Sequence, residues 1–131
     1  CDGQSLMPWL RGETPADWRH EAHWEYDFRD LREPAAEIAL DLHPEACNLA
    51  VIRDERYKYV HFAALPPLFF DLERDPRELE DRAGDHAYRA RVLSYAQRLL
   101  SWRMRSQDRT LTRYHLGPGG VLDRPGRWPR S

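Results

Sequence analysis

The sequence predicts an α+β fold: a small four-stranded antiparallel sheet packed against a long C-terminal helix, with an extended Gly/Pro-rich tail. Apolar and polar residues alternate over residues 18–28, and further strand-like runs follow on short connections. Apolar residues then recur at three- and four-residue spacing over residues 88–102. Sequential strands on short links pair antiparallel, and 131 residues are enough for one hydrophobic core.

The N-terminal part of the chain predicts a short helix and the first strand. Residues 5–11 precede Gly12, a stop signal, and favour one or two helical turns packed through apolar side chains such as Trp9. Residues 18–28 alternate as a strand whose apolar face carries Trp18, His20, Ala22, Trp24, Tyr26 and Phe28. We expect His20 to be half-buried on this face and His23, on the opposite face, to be solvated.

The middle of the chain predicts a loop and three strands. Residues 30–46 lack sustained periodicity and read as a connection that contains a helical turn. Residues 47–53 and 57–63 form a hairpin across a polar link of three residues, and residues 68–72 supply the fourth strand.

Two helix starts follow the predicted sheet. Asp75 before Pro76 favours one start, and Asp85 after Gly84 caps a longer helix that runs to about Arg105. The longer helix carries an apolar stripe made of Tyr88, Val92, Tyr95, Ala96, Leu99 and Trp102. We expect this stripe to pack on the sheet face that begins with Trp24.

The C-terminal end differs from the body in composition and charge. It is dense in Gly and Pro and predicts no regular structure of its own. The net charge of −2 divides into −7 up to Trp102 and +5 from Arg103 onward. We therefore expect an α+β subdomain over residues 1–105 and a basic tail over residues 106–131.

Composition excludes several classes of protein. The mean hydropathy is −0.82, and no apolar run approaches the roughly 20 residues that span a bilayer, so no membrane partner is expected. The basic tail is modest and belongs to no nucleic-acid-binding module, so no nucleic acid is expected either. Two cysteines do not make a disulfide framework. We expect free thiols, with Cys47 buried, in a reducing cytoplasm.

Three histidine-containing sites suggest metal binding, but each has a simpler interpretation. Asp85 and His86 lie together at a helix start, where no third ligand is near in sequence. His20 and His23 face opposite sides of a strand. His61 shares the face of Tyr57 and is expected to be a hydrogen-bonded, packed side chain. No metal, cofactor or catalytic residue is therefore assigned to this chain.

Several motifs in order resemble the C-terminal subdomain of sulfatase-type hydrolases in the alkaline phosphatase superfamily, and among these the phosphonate monoester hydrolases. The resemblance is carried by Asp2-Gly-Gln-Ser-Leu6, by the run from Tyr57 to Leu72, and by Leu100-Ser-Trp-Arg-Met-Arg105 with Arg109-Thr-Leu-Thr112. It covers nearly the whole chain. It implies a small antiparallel sheet with a long helix, docked on a large α/β catalytic core that precedes it.

The resemblance also implies a chemistry whose residues lie elsewhere. Family members use a formylglycine, made within a Cys-x-Pro-x-Arg motif, and a divalent metal such as Mn, Zn or Ca, which together stabilise the transferred group. Neither Cys1 nor Cys47 is followed by that Pro and Arg. The chain alone is therefore expected to be inactive, although its parent protein resembles an enzyme.

The tail is implied to be an oligomerisation arm, as in phosphonate monoester hydrolases, which makes a homo-oligomer the expected assembly. Residues that could contact a neighbouring subunit are Trp102, Arg109, Leu111, Tyr114 and Trp128. The hypothesis is a C-terminal part that supports core stability and subunit assembly in a metal-dependent phosphonate or sulfate ester hydrolase. The alternative is a free-standing α+β interaction module. Only the first predicts uncovered apolar side chains of the Trp9, Trp18 or Phe69 type.

Overall fold

A computed structural model describes residues 4–29, 34–106 and 114–123 of the chain. Three α-helices are present in these ranges: α1 (Met7–Leu10), α2 (Ala35–Leu40) and α3 (Arg89–Ser106). Six strands are described: β1 (Ala22–Asp27), β2 (Asn48–Arg53), β3 (Tyr57–Phe62), β4 (Leu68–Asp71), β5 (Tyr114–Gly117) and β6 (Gly120–Asp123). Short 3-10 turns lie at Pro44–Ala46 and His86–Tyr88.

The first four strands form one antiparallel sheet in the order β1-β2-β3-β4. The predicted four-stranded α+β architecture is therefore confirmed. The register places Trp24 opposite Val51 and Val51 opposite Val60, which defines one side of the sheet, called here the Trp24 face. The other side, called the helix face, carries Ile52, Tyr59 and Phe69, which lie side by side on adjacent strands.

The β2–β3 hairpin turns on the side chain of Asp54. Its Oδ1 accepts hydrogen bonds from the backbone N–H groups of Arg56 and Tyr57 at 3.0 and 2.9 Å. The backbone N–H of Asp54 in turn donates to the carbonyl of Tyr57 at 3.0 Å. An aspartate that closes its own turn in this way replaces the Asn-Gly signal that common two-residue hairpins use.

Helix α3 packs on the helix face, so the expectation that it covers the Trp24 face is wrong. The stripe itself is confirmed, since Tyr88, Tyr95 and Leu99 are buried. Tyr88 and Tyr95 meet Tyr57 and Phe69 in an aromatic cluster whose ring centroids lie 5.3–6.4 Å apart. The two tyrosines of the helix segment complete a cluster of four rings on this face, and the burial of those rings stabilises the packing.

Because α3 packs on the helix face, the two faces of β1 have different environments from those predicted. His23 lies on the helix-face side, and its side chain is mostly buried with Nε2 3.2 Å from Glu21 Oε1, whereas His20 is exposed. The two expected histidine environments are thus reversed. Trp24 and Tyr26 remain exposed at 39% and 60%.

The segment after Asp75 is not helical, which corrects the first of the two predicted helix starts. Glu78 adopts a left-handed φ of 57° there. The chain instead runs along β4: the N–H of Phe69 donates to Asp81 Oδ1 at 2.9 Å, and the N–H of Arg82 donates to the carbonyl of Phe69 at 2.7 Å. Polar groups of this segment therefore form hydrogen bonds with the edge strand β4 instead of with each other in a helix, and the segment covers that edge of the sheet.

The second predicted helix start is confirmed. Asp85 Oδ1 accepts the N–H of Ala87 at 2.9 Å and caps the 3-10 turn that leads into α3.

The tail contains regular structure where the sequence predicted none. Strands β5 and β6 pair antiparallel, with Gly117 opposite Gly120, whose φ of 108° suits a glycine. Residues 107–113 and 124–131 lie outside the described residues. The chain divides into two compact units, Cys1–Leu99 and Leu100–Ser131, so the division falls within α3. The predicted boundary after residue 105 stays a prediction.

Candidate functional site

The N-terminal helix presents apolar side chains to solvent. No residue of α1 is buried, and Leu6, Met7, Trp9 and Leu10, called here the α1 surface, are all exposed. Trp9 is 43% exposed and Leu10 is 79% exposed, so the expected packing through these residues is wrong within the described chain. Trp9 does meet Trp18 edge-to-face, with ring centroids 5.7 Å apart. A helix of four residues has little stability of its own, so this segment relies on tertiary contacts.

The Trp24 face has a buried centre and an exposed rim. Val51 and Val60 are buried together with Phe70 and Leu72, whereas Trp24 lies at the exposed rim. The ammonium group of Lys58 lies 6.0 Å from the Trp24 ring centroid and 5.8 Å from that of Phe70. It also forms an ion pair with Glu78. The charge therefore spans two aromatic rings in a cation–π arrangement.

A polar network joins the β2–β3 turn to α3. Asp54 Oδ2 accepts a hydrogen bond from the Tyr95 hydroxyl and lies 3.4 Å from Arg98 Nη2, and Arg98 also pairs with Glu21. Burial raises the pKa of Tyr95, and its hydrogen bond to Asp54 adds to this, to about 12. For Asp54, burial acts to raise the pKa, but hydrogen bonds from Tyr95 and from backbone N–H groups outweigh it and leave the pKa lowered.

A second buried carboxylate lies at the end of β4. Asp71 is 3% exposed, and its Oδ2 accepts a hydrogen bond from the Tyr88 hydroxyl at 2.8 Å. Burial acts to raise the pKa of Asp71, but the bond from Tyr88 and the N–H of Arg74 leave it lowered. The hydrogen bond to Asp71 raises the pKa of Tyr88. The carboxylate is thus ionised at neutral pH.

The two depressed carboxylates predict an acid-labile fold. A carboxylate whose pKa is lower in the folded chain than in the unfolded chain stabilises the fold at pH values above its unfolded pKa of about 4. This stabilisation is lost as the pH falls through the pKa of the folded chain. We expect the urea midpoint to fall steadily from about pH 5 downward. Asp71→Asn should flatten this slope and lower stability at pH 7. An unchanged slope in this variant would contradict the assignment to Asp71, with exposed Asp17→Asn as the control.

The histidine-containing sites do not gather into a metal centre. Within residues 4–29, 34–106 and 114–123, no group of three or more His, Cys, Asp or Glu side chains could hold an ion. Asp85 is used as a cap, and His61 Nδ1 lies 3.0 Å from the Tyr59 hydroxyl, as expected of a hydrogen-bonded histidine, although His61 is exposed. These residues do not fit the divalent metal that the family resemblance implies.

The proposed subunit-contact residues are only partly described. Trp102 lies in α3, and Tyr114 begins β5 opposite Asp123. Arg109, Leu111 and Trp128 lie outside the described residues. Their role as an interface stays a prediction.

Two further predictions concern cysteine and the membrane. Cys47 is a free, fully buried thiol, as expected, and Cys1 lies outside the described residues. Burial raises the pKa of the Cys47 thiol. In the part of the chain that the structure describes, no helix is long and apolar enough to cross a bilayer.

Known proteins show the same fold and closely similar sequences. The chain is 54% identical over 124 residues to a "multifunctional alkaline phosphatase superfamily protein PehA" of Trinickia caryophylli. It superimposes on a phosphonate monoester hydrolase of Agrobacterium radiobacter with a TM-score of 0.73 and 50% identity over 95% of this chain. A phosphonate monoester hydrolase from Silicibacter pomeroyi gives a TM-score of 0.73 and 34% identity over 93% of this chain.

More distant likeness supports the fold alone. A protein described as a putative sulfatase from Bacteroides thetaiotaomicron matches 85% of this chain with a TM-score of 0.63 and 23% identity. No family model matches the sequence. The chain spans about a quarter of the length of the relatives it matches, with coverages of 24%, 25% and 24%.

The four-stranded sheet with its long helix, together with these matches, defines the chain as a sulfatase-type C-terminal subdomain of the alkaline phosphatase superfamily. Within that superfamily, the chain is similar to two phosphonate monoester hydrolases, at 50% and 34% identity.

Proposed function

We propose that this chain is the C-terminal part of a metal-dependent phosphonate or sulfate ester hydrolase and that it supports the stability of a catalytic core without supplying the nucleophile. The observation that carries the proposal is the α1 surface, where apolar residues are uncovered. Exposed apolar patches of this kind mark surfaces that bind another part of a protein. Relatives about four times longer supply a candidate for that part.

The core would bring the chemistry that this chain lacks. It would carry the formylglycine and the metal ligands, and the metal would neutralise charge on the transferred group. The described residues would act through packing: the α1 surface against the core and the aromatic cluster as the rigid support behind it. We also propose that residues of the tail hold the protein together as a homo-oligomer. Its proposed location is the cytoplasm.

The first test compares the chain with a longer protein. The 131-residue chain should not hydrolyse aryl phosphonate or sulfate esters with Mn²⁺ or Zn²⁺, whereas the protein encoded by the frame upstream of Cys1 together with this chain should hydrolyse them. Turnover that persists with the chain through repurification would overturn the proposal. An upstream stop codon with a local start would favour the free-standing interaction module.

The same pair of proteins tests the docking surface. Leu10→Glu should leave the stability of the 131-residue chain unchanged within about 0.5 kcal/mol, because Leu10 is largely exposed there. In the longer protein it should cost about 2 kcal/mol or more, since a charge would be buried against the core. Leu93→Glu, a matched change on exposed α3 surface, is the control. Equal effects of Leu10→Glu in both proteins would rule out docking through α1.

A further inference from the structure

Helix α2 buries its charged residue and exposes its apolar ones. Glu37 is 5% exposed, whereas Ile38 is 76% exposed and Ala35 and Ala39 are exposed as well. At 100° per residue these three apolar residues share the side of the helix away from Glu37, and they are called here the α2 surface. A surface helix normally packs its apolar side on the protein and turns its charged side to water. The reversed arrangement leaves an apolar surface that another protein surface can cover.

Helix α3 carries a second apolar pair near its C-terminal end. Leu100 is 59% exposed and Met104 is 63% exposed. The two residues are four positions apart, so they lie one turn apart on the same side of the helix. They are called here the α3 surface. The pair is distinct from the buried stripe of the same helix, which contains Tyr95 and Leu99.

The two surfaces lie in segments of opposite charge. Residues 34–46, which contain α2, include three acidic residues and no Lys or Arg. Helix α3 includes five arginines and no Asp or Glu. Asp41 at the end of α2 is exposed, and so are Arg103 and Arg105, which flank Met104 in sequence. Opposite charges around two apolar patches favour their association and oppose the pairing of either patch with itself.

We propose that the α3 surface of one chain binds the α2 surface of a second copy. Leu100 and Met104 would pack on Ile38, and the two alanines of the α2 surface are small enough to admit these longer side chains. Two α3 surfaces could not pair as well, because they would bring arginines together without any acidic residue between them. The contact does not involve the α1 surface and does not depend on the proposed catalytic core.

A contact between two different surfaces is heterologous, which determines how the chain assembles. A bound pair of chains still offers one α2 surface and one α3 surface, so association continues beyond the dimer as concentration rises, unless a ring closes. Stable interfaces have about 20–30 residues on each side. The two surfaces together have only five apolar residues, so we expect each contact to be weak, with a dissociation constant of about 100 µM.

Two single variants, alone and mixed, test the contact by sedimentation equilibrium between about 20 and about 500 µM. The wild-type chain should gain mass with concentration, whereas Ile38→Glu alone and Leu100→Glu alone should not, because each places a charge in the contact. Both side chains are exposed, so neither change should unfold the chain. A 1:1 mixture should regain one contact, since each variant retains the surface that the other has lost. Leu79→Glu, the same change at an exposed leucine outside both helices, is the control and should behave as wild type.

The outcomes separate this contact from other kinds of association. Tail contacts are unchanged in every sample, so a gain of the mixture over either variant alone reports only the contact between α2 and α3. A wild-type mass equal to that of both variants, or a mixture without this gain, would overturn the proposal. Loss of association in Leu100→Glu but not in Ile38→Glu would show that α3 pairs with itself.

Salt tests the role of charge in the same contact. Association should weaken severalfold between about 0.1 and about 1 M salt, because the Debye length falls from about 10 to about 3 Å. Association that strengthens over this range would show that the arginines of α3 and the acidic residues near α2 do not stabilise the contact.

Discussion

Phe69→Ala is expected to cost about 3–5 kcal/mol of the free energy of unfolding, a large part of what a domain of this size has. Phe69 is fully buried and lies 5.3 Å from Tyr57 and 5.5 Å from Tyr95 between ring centroids. Truncation leaves a cavity that the surrounding rings, fixed by the sheet and by α3, cannot close. Urea unfolding followed by near-UV circular dichroism measures the loss.

A matched change elsewhere in the sheet separates burial from strand propensity. Tyr26 is also an aromatic strand residue but is 60% exposed, so Tyr26→Ala should cost less than about 1 kcal/mol. If Phe69→Ala prevents folding, Phe69→Leu should still fold with a smaller loss. Similar losses for Tyr26→Ala and Phe69→Ala would show that the aromatic cluster is not the centre of stability.

Asp54→Ala is expected to cost about 2–3 kcal/mol, the second largest effect. One side chain closes the β2–β3 turn through two backbone N–H groups and also accepts the Tyr95 hydroxyl. Its removal leaves these donors unsatisfied and leaves Arg98 with Glu21 alone. The contribution of Arg98 is discounted, because the pair is partly exposed and screened by solvent. Thermal unfolding of the variant measures the loss.

Two further variants assign the effect of Asp54. Asp54→Asn keeps an oxygen for the turn and loses the charge, so it should retain about half of the stability that Asp54→Ala loses. A double-mutant cycle with Tyr95→Phe should give a coupling energy of about 1 kcal/mol. Additive losses would show that the turn and the link to α3 are independent. Exposed Asp17→Ala serves as the control and should be neutral.

The strands β2 to β4 and helix α3 could be predicted because their signals are local. Alternation over residues 57–62, the cap at Asp85 and the stripe that includes Tyr95 each depend on residues close in sequence. Which side of the sheet receives α3 is not local. It depends on the strand register, which places Tyr59 beside Phe69, and on tyrosines that bury a ring and still find a partner for the hydroxyl.

The candidate sites show the same limit. A short apolar helix gives the same sequence pattern whether it is packed or exposed. The pattern therefore predicted that Trp9 and Leu10 would be packed, although both are exposed. Asp75 and Pro76 gave a valid helix-start signal, but hydrogen bonds between Phe69 and the segment at Asp81 and Arg82 prevailed over it.

The segment that covers the edge of β4 has a consequence for the order in which the chain folds. Phe69 and Asp81 are twelve residues apart, so this closure forms a short loop. His23 and Ile52, which join β1 to β2, are more than twice as far apart, and each doubling of loop length adds only about 0.6 kcal/mol of entropy. By loop length alone, the β2–β3 hairpin and this closure form at a lower entropic cost than the pairing of β1 with β2, so β1 is expected to join the sheet last. During synthesis, the N-terminal strand would thus wait for residues made after it before it has a place in the sheet.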